Sequence, residues 1–201
     1  MTMWCAIRTF VKHAEELGNV AIEHPIVFVK PTNCLHQSGP LPVSSHPGEM
    51  HHEVECVVQL GSDFLPVAIG VGLDMTDRPA QAALRAQQYP WAKGKTFRSS
   101  ALLGQLVPWN GTFDALVDAA EGLRLVLWVN DEERQNAWLS EMSVTPGMQI
   151  EELLEWAPLE VDDLLFTGTP QGVGRVYPGD RIRAQLLCKG RVMSEIDISC
   201  E

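Results

Sequence analysis

Three kinds of pattern are missing from this 201-residue chain, and each absence removes a class of function. Its 15 lysines and arginines are outnumbered by 26 aspartates and glutamates, giving a net charge of −11, and they form no cluster. Without a basic patch, nucleic acid and anionic membrane are not expected partners. No stretch approaches the roughly 20 consecutive apolar residues of a membrane helix. The opening "MTMWCAIRTFVKHAEELG" is interrupted by charges and lacks the apolar run of a secretion leader. Cysteine is scarce and unpaired. Cys5, Cys34, Cys56, Cys188 and Cys200 are odd in number and hold no C-x-x-C, which argues against structural zinc and a disulfide framework. Reduced thiols in a cytoplasmic protein are expected.

Repeats, low-complexity tracts and linkers are missing as well, so residues 1–201 are expected to form a single domain. Alternation and turn residues outline its elements. Residues 8–17 read as a short helix closed by Gly18, and "PIVFVKP" (25–31) as a strand between prolines. The Pro-, Ser-, Gly- and His-rich segment 32–50 reads as loop. Strands follow at 51–60 and 66–74. Thr76 or Asp77 can then cap a helix with Pro79 in its first turn, running through "AQAALRAQQ". Residues 123–140 form a hairpin turning at "ND", and 147–157 a second helix entered after Thr145-Pro146. "DLLFTGTP", "DRIRAQLL" and "RVMSEIDIS" are strands around a glycine-rich turn. Strands dominate without alternating regularly with helices, which predicts a mixed, largely antiparallel α+β fold.

"HHEVECVVQLG" (51–61) carries the first chemistry. On a strand, Val54, Cys56, Val58 and Leu60 share one face, and Glu53, Glu55, Val57 and Gln59 the other. A solvated strand face is the plain alternative, yet Val57 continues the acidic face and Asp74 ends the next strand. Three carboxylates without a thiol suit a hard divalent cation, Mg²⁺ or Mn²⁺. Zinc fits less well, because Cys56 stands where H-E-x-x-H needs its second histidine. His51 and His52 are either donors behind the ligands or exposed.

"HAEE" spaces His13 and Glu16 at i, i+3, on one helical face. This is either a surface pair or a dyad in which Glu16 orients His13 as general base for water. "GTPQGVGRVYPGD" (168–180) is not a nucleotide loop, since Tyr177 replaces the third glycine and no helix pattern follows. Thr167 and Thr169 beside it offer hydroxyls to a carboxylate. Lys95 of "PWAKGKTF" is an anion partner, with Lys93 as competitor.

Together the stretches "FVKP", "HHEVE", "LDMTDR", "PWAKGKTF", "LFTGTPQGVGRVYPGD" and, more weakly, "RTFVKHAEE" resemble the fumarylacetoacetate hydrolase family, in its short branch of acylpyruvate hydrolases, oxaloacetate decarboxylases and isomerases. The resemblance implies a β-rich roll of mixed sheets with short peripheral helices, assembled as a homodimer. Residues 1–24 become an N-terminal lid segment. It implies that Glu53, Glu55 and Asp74 hold Mg²⁺ or Mn²⁺, and that His13, Glu16 and Lys95 are catalytic. Lys30, Arg78, Gln81 and Thr169 then contact substrate. This chain writes T-F-V-K-H for the family's N-Y-A-D-H, places Asp77 and Pro79 within D-M-T-A-R-D, and shortens the segment between residues 61 and 73.

The implied reaction is hydrolytic C–C cleavage of a 2,4-dioxo acid of the acylpyruvate type to pyruvate and a carboxylic acid. Decarboxylation of oxaloacetate and keto–enol tautomerisation use the same enolate and are its rivals. A metal-binding homologue without catalysis and a plain β-rich interaction module are rivals from other classes.

Overall fold

Alternation and capping residues set most boundaries in the computed structural model, which describes residues 1–16, 18, 22 and 24–201. The first half contains β1 (Thr2–Ala6), α1 (Val11–Glu16), β2 (Val27–Pro31), β3 (Met50–His52), β4 (Val54–Leu60), β5 (Pro66–Asp74) and β6 (Thr76–Asp77). Next come α2 (Arg78–Ala86), α3 (Ala92–Lys95), β7 (Ala101–Leu103), β8 (Val107–Pro108) and α4 (Phe113–Val117). The chain finishes with β9 (Leu123–Val129), β10 (Glu132–Trp138), α5 (Pro146–Trp156), β11 (Leu164–Phe166), β12 (Gly174–Arg175), β13 (Arg181–Cys188) and β14 (Arg191–Ser199).

A seven-stranded sheet runs β2-β1-β11-β4-β5-β7, with β8 also on β5. Its β1–β11 pair is parallel and its other pairs are antiparallel. An antiparallel sheet, β10-β9-β13-β14, faces it across the core, and a small sheet, β12-β3-β6, stands beside them. This is the expected β-rich α+β architecture. Among the described residues, no helix is long and apolar enough to cross a membrane.

The core follows from alternation. Val54, Cys56, Val58 and Leu60 of β4 meet Leu123, Leu125 and Leu127 of β9 and Ile182, Ala184 and Leu186 of β13. Val57, on the opposite face of β4, packs with Met3, Cys5 and Phe166 in a second, smaller core. The β9–β10 hairpin turns at Asn130 and Asp131, with φ of 52° and 65°. Two left-handed residues give the turn whose twist matches its strands, and Asn and Asp tolerate that conformation best. Asp77 caps α2 by accepting from the Ala80 N–H at 3.0 Å, so Asp77 rather than Thr76 is the cap. Thr145 caps α5 through Met148 N–H at 3.3 Å.

Three expectations need correction. The strand read as 51–60 breaks at Glu53: β3 pairs with β6 and β12, whereas β4 joins the large sheet. Glu53 O still accepts from Asp74 N–H at 2.9 Å, so the break lies where those two carboxylates oppose each other. "DLLFTGTP" is a strand only over Leu164–Phe166, because Gly168 turns to φ +98° and ends the extended run. The first helix begins at Val11 rather than residue 8, since Arg8 has φ +56°. Residue 17 of that helix, and residues 17, 19–21 and 23 of the expected 1–24 lid, lie outside the described residues. Between β4 and β5 the chain makes a tight loop without a helix, closed by Gly61 N–H to Leu65 O at 2.8 Å.

Candidate active site

Two neighbouring antiparallel strands bring the acids together. Glu55 lies on β4 opposite Gly72, Asp74 ends β5, and Glu53 occupies the break. One ligand oxygen from each lies within 4.8 Å of the others. They are 5%, 1% and 1% exposed for Glu53, Glu55 and Asp74, so the face is not solvated. Buried like charges demand compensation. Lys95 of α3 sits among them, donating to Glu53 Oε2 at 2.8 Å, Asp74 Oδ2 at 2.6 Å and Thr76 Oγ1 at 2.7 Å. Arg78 donates to Glu53 Oε1 and, at 2.7 Å, to Gln81 Oε1.

Glu55 is the least compensated. Its Oε2 accepts from Gly168 N–H at 2.7 Å. Burial, then the charges of Asp74 and Glu53, push its carboxyl well above the usual range. Burial acts the same way on Glu53, but Lys95 and Arg78 outweigh it and hold that carboxyl well below the usual range. Burial also opposes the Lys95 charge, yet Asp74 and Glu53 keep its ammonium above the ordinary lysine value. Asp74 Oδ1 contacts the Lys30 ammonium but accepts no hydrogen bond. Three buried carboxylates, one whose charge is disfavoured by burial and its acidic neighbours and one with an oxygen that accepts no hydrogen bond, fit a divalent cation. An all-oxygen donor set fits a hard one.

A pocket of about 40 Å³ opens onto Glu53 and Glu55. His13, Arg78, Gln81, Lys95 and Thr169 share its wall. His13 reaches it from α1, with Nδ1 at 3.2 Å from Glu16 Oε2. Glu16 in turn accepts from Gly172 N–H at 3.0 Å, tying the pair to the glycine-rich loop. Lys93 is exposed and lies off the pocket.

The model of the family described as fumarylacetoacetate (FAA) hydrolase C-terminal matches residues 2–197. The chain belongs to the fumarylacetoacetate hydrolase family. A mitochondrial oxaloacetate tautomerase of Oryza sativa subsp. japonica is 32% identical over 210 residues, covering 95% of this chain and 88% of that protein. The oxaloacetate tautomerase YcgM of Escherichia coli is 31% identical, over 89% of this chain and 84% of its own. The fumarylpyruvate hydrolase of Pseudomonas aeruginosa, solved with Mn²⁺ and pyruvate, superposes with a TM-score of 0.84. It is 28% identical, and the match covers 100% of this chain and 90% of that one.

In this member of the fumarylacetoacetate hydrolase family, Lys30 stands behind the acids rather than on the pocket wall. It is fully buried and donates to Met75 O at 3.1 Å and to Ser100 O, so its surroundings suit holding Asp74. Of the residues expected to contact substrate, Lys30 lies against Asp74 and does not line this pocket. His52 is buried, and desolvation lowers its pKa to about 4. Its Nδ1 meets Gln135 Oε1 at 3.0 Å, and Gln135 Nε2 donates to Thr169 Oγ1 at 2.9 Å. Sequence reasoning missed Gln135, although a glutamine at an inward position of β10 was a readable signal. It also missed Arg8 and Arg85, which reach the pocket. Of the departures from the family pattern, Lys12 pairs with Glu141 at the surface at 3.0 Å, and Asp77 caps α2 while meeting His46 Nε2 at 2.8 Å.

Proposed function

We propose that the protein is a divalent-metal-dependent enzyme of small 2-oxo acids, with keto–enol tautomerisation of oxaloacetate as its reaction. The observation carrying this reading is the buried Glu53–Glu55–Asp74 cluster with Lys95, beside a pocket walled by His13, Arg78, Gln81 and Thr169. Curated relatives named oxaloacetate tautomerase support it. So does the chemistry of the pocket, where His13, Arg78, Gln81 and Thr169 face Glu53 and Glu55. Glu53, Glu55 and Asp74 are the ligands in this reading, and Mg²⁺ or Mn²⁺ is the ion.

When bound, the cation supplies Lewis-acid charge to the 2-oxo acid. Lys95 adds a fixed ammonium close to where the 2-oxo oxygen gains negative charge, and such preset charges lower the barrier. Arg78 and Thr169 hold the acid's carboxylate, and Gln81 steadies the Arg78 guanidinium. An ionised Glu16 is acceptor-only, so Nδ1 of His13 carries the proton and Nε2 keeps a lone pair. Nε2 takes a proton from C3, and the imidazolium so formed delivers it to the 2-oxo oxygen, which returns His13 to its starting state.

The dyad favours a second reading, hydrolysis of an acylpyruvate. His13 then takes its proton from water, hydroxide adds to the distal carbonyl, and the C–C bond breaks to give pyruvate and a carboxylic acid.

Chelated protein restored with Mn²⁺ distinguishes these readings by ultraviolet absorbance. Metal-dependent relaxation of the oxaloacetate enol, lost in Glu53→Ala and His13→Ala, is the expected result. Pyruvate release from acetylpyruvate, without effect on oxaloacetate, selects hydrolysis. Silence on both acids with metal bound refutes catalysis and leaves a metal-binding homologue.

A further inference from the structure

The buried amide of Gln135 joins three segments of the chain. Gln135 turns inward from β10 just after a bulge, where the pairing with β9 passes over Arg134, and bulges re-aim side chains. Its Oε1 accepts from Val54 N–H at 3.1 Å and meets His52 Nδ1 at 3.0 Å, so it holds both flanks of Glu53. Its Nε2 donates to Pro170 O at 2.8 Å and to Thr169 Oγ1 at 2.9 Å. The glycine-rich loop also rests on the bulge, since a Cβ on Gly172 would lie 1.9 Å from Arg134 O.

Two backbone partners fix which way the amide faces. Val54 N–H can only donate and Pro170 O can only accept, so Oε1 points toward the Glu53 side and Nε2 toward the loop. His52 therefore carries its proton on Nδ1. At the other end Thr169 Oγ1 accepts, so its own proton points away from Gln135. Among the described residues no acceptor takes that proton. Thr169 lines the pocket together with Arg78, which leaves its O–H to a ligand there.

We propose that Gln135 is a positioning residue that keeps the Thr169 proton for the substrate carboxylate. The proposal rests on the function proposed above, in which Thr169 and Arg78 hold that carboxylate. A threonine hydroxyl rotates to donate or accept as its partners demand, whereas a carboxylate only accepts. An acceptor at position 135 would take the proton and turn a lone pair toward the acid. A donor there prevents this, and hydrogen bonds to a charged group are the stronger kind. The same amide ties the loop of Thr169 to the strand break of Glu53, so one side chain sets the acid's carboxylate contact against the metal end of the site.

Gln135→Glu separates the two halves of the amide. An ionised glutamate still accepts from Val54 and His52, but it also accepts from Thr169 and draws the proton away from the ligand. Calorimetric titration of the Mn²⁺-loaded protein with pyruvate reads the effect. Gln135→Glu and Thr169→Val are each expected to weaken pyruvate roughly ten- to a hundredfold, while Mn²⁺ affinity holds and Thr169→Ser binds pyruvate like wild type. In the double variant the two losses should not add, because the proton that Gln135 protects is already gone. Direct repulsion of pyruvate by the new carboxylate would persist without the Thr169 hydroxyl, so the cycle separates the two causes. The cycle is repeated with Gln135→Met, which removes the donor without adding charge, so misfolding of one variant leaves the test intact. Additive losses, an unchanged Thr169→Val, or wild-type pyruvate affinity in both Gln135 variants overturns the assignment and leaves the proposed function standing. An equal fall in Mn²⁺ affinity makes Gln135 a general support of the site and also overturns it. If wild type binds no pyruvate in a metal-dependent way, the proposed function itself fails and the role of Gln135 falls with it.

Discussion

Replacing Lys95 by methionine separates its two roles. Lys95 is 2% exposed, and its ammonium contacts Glu53, Asp74 and Thr76 at 2.6–2.8 Å. Methionine keeps the length and removes the charge, which leaves two buried carboxylates without their shared partner. Breaking a buried pair in this way costs about 3–5 kcal/mol. For a domain of this size each kcal/mol moves Tm by about 2–4 °C, so the metal-free variant should melt roughly 6–20 °C lower. Saturating Mn²⁺ places charge on the same oxygens and should restore most of that loss. Catalysis should not recover, because removal of one charge-stabilising donor costs about 2.7–4 kcal/mol of barrier, or about 10²–10³ in rate. The assay is differential scanning fluorimetry of chelated and Mn²⁺-loaded wild type and variant, followed by oxaloacetate enol relaxation on the same samples. A metal-free variant that melts within about 2 °C of wild type, or a loaded variant with wild-type rate, refutes the reasoning.

The Glu55 carboxyl, raised by burial beside Asp74 and Glu53, predicts a pH dependence whose sign reverses with metal. In the metal-free protein its native pKa exceeds its unfolded one, so stability present below the unfolded value is lost as pH rises toward the raised native pKa. Metal requires the ionised form, so the Tm gain from Mn²⁺ should grow with pH, and Glu55→Gln should flatten both trends. Gly168→Ala should cost about 2–4 kcal/mol in urea unfolding, because a Cβ at φ +98° would lie 2.1 Å from Thr9 Oγ1. An unchanged unfolding midpoint would show that the turn can shift.

Local patterns carried much of the fold. The run from Pro66 to Asp74 was legible to the residue because it alternates little, is apolar up to its closing aspartate and is bounded by turn signals. The hairpin at Asn130-Asp131 and the caps at Asp77 and Thr145 are written in adjacent residues. The Glu53–Glu55 spacing was legible as a shared face, but the break at Glu53 was not, because a pairing partner is chosen by tertiary contacts. His52 and Gln135 are 83 residues apart, so no local spacing announces their bond. Lys30 reads from sequence as a charge beside the substrate, and only burial reveals that it faces Asp74 from behind. Arg8 was hidden for a third reason: it lines the pocket from a residue at φ +56°, a backbone angle that sequence periodicity does not encode.

The parallel pairing of β1 with β11 has a consequence for synthesis. Thr2 donates to Asp163 at 2.6 Å, across 161 residues, and β1 lies between β2 and β11 in the sheet. Translation proceeds at about 5–20 residues per second, so one edge of β1 waits roughly 8–30 s for its neighbour. His13 follows β1 and Thr169 follows β11, so the pocket that both line forms only when that late strand docks. Nascent chains halted before residue 164 should therefore expose an unpaired apolar strand edge to chaperones, and the fold should mature abruptly, once residues 164–166 have emerged.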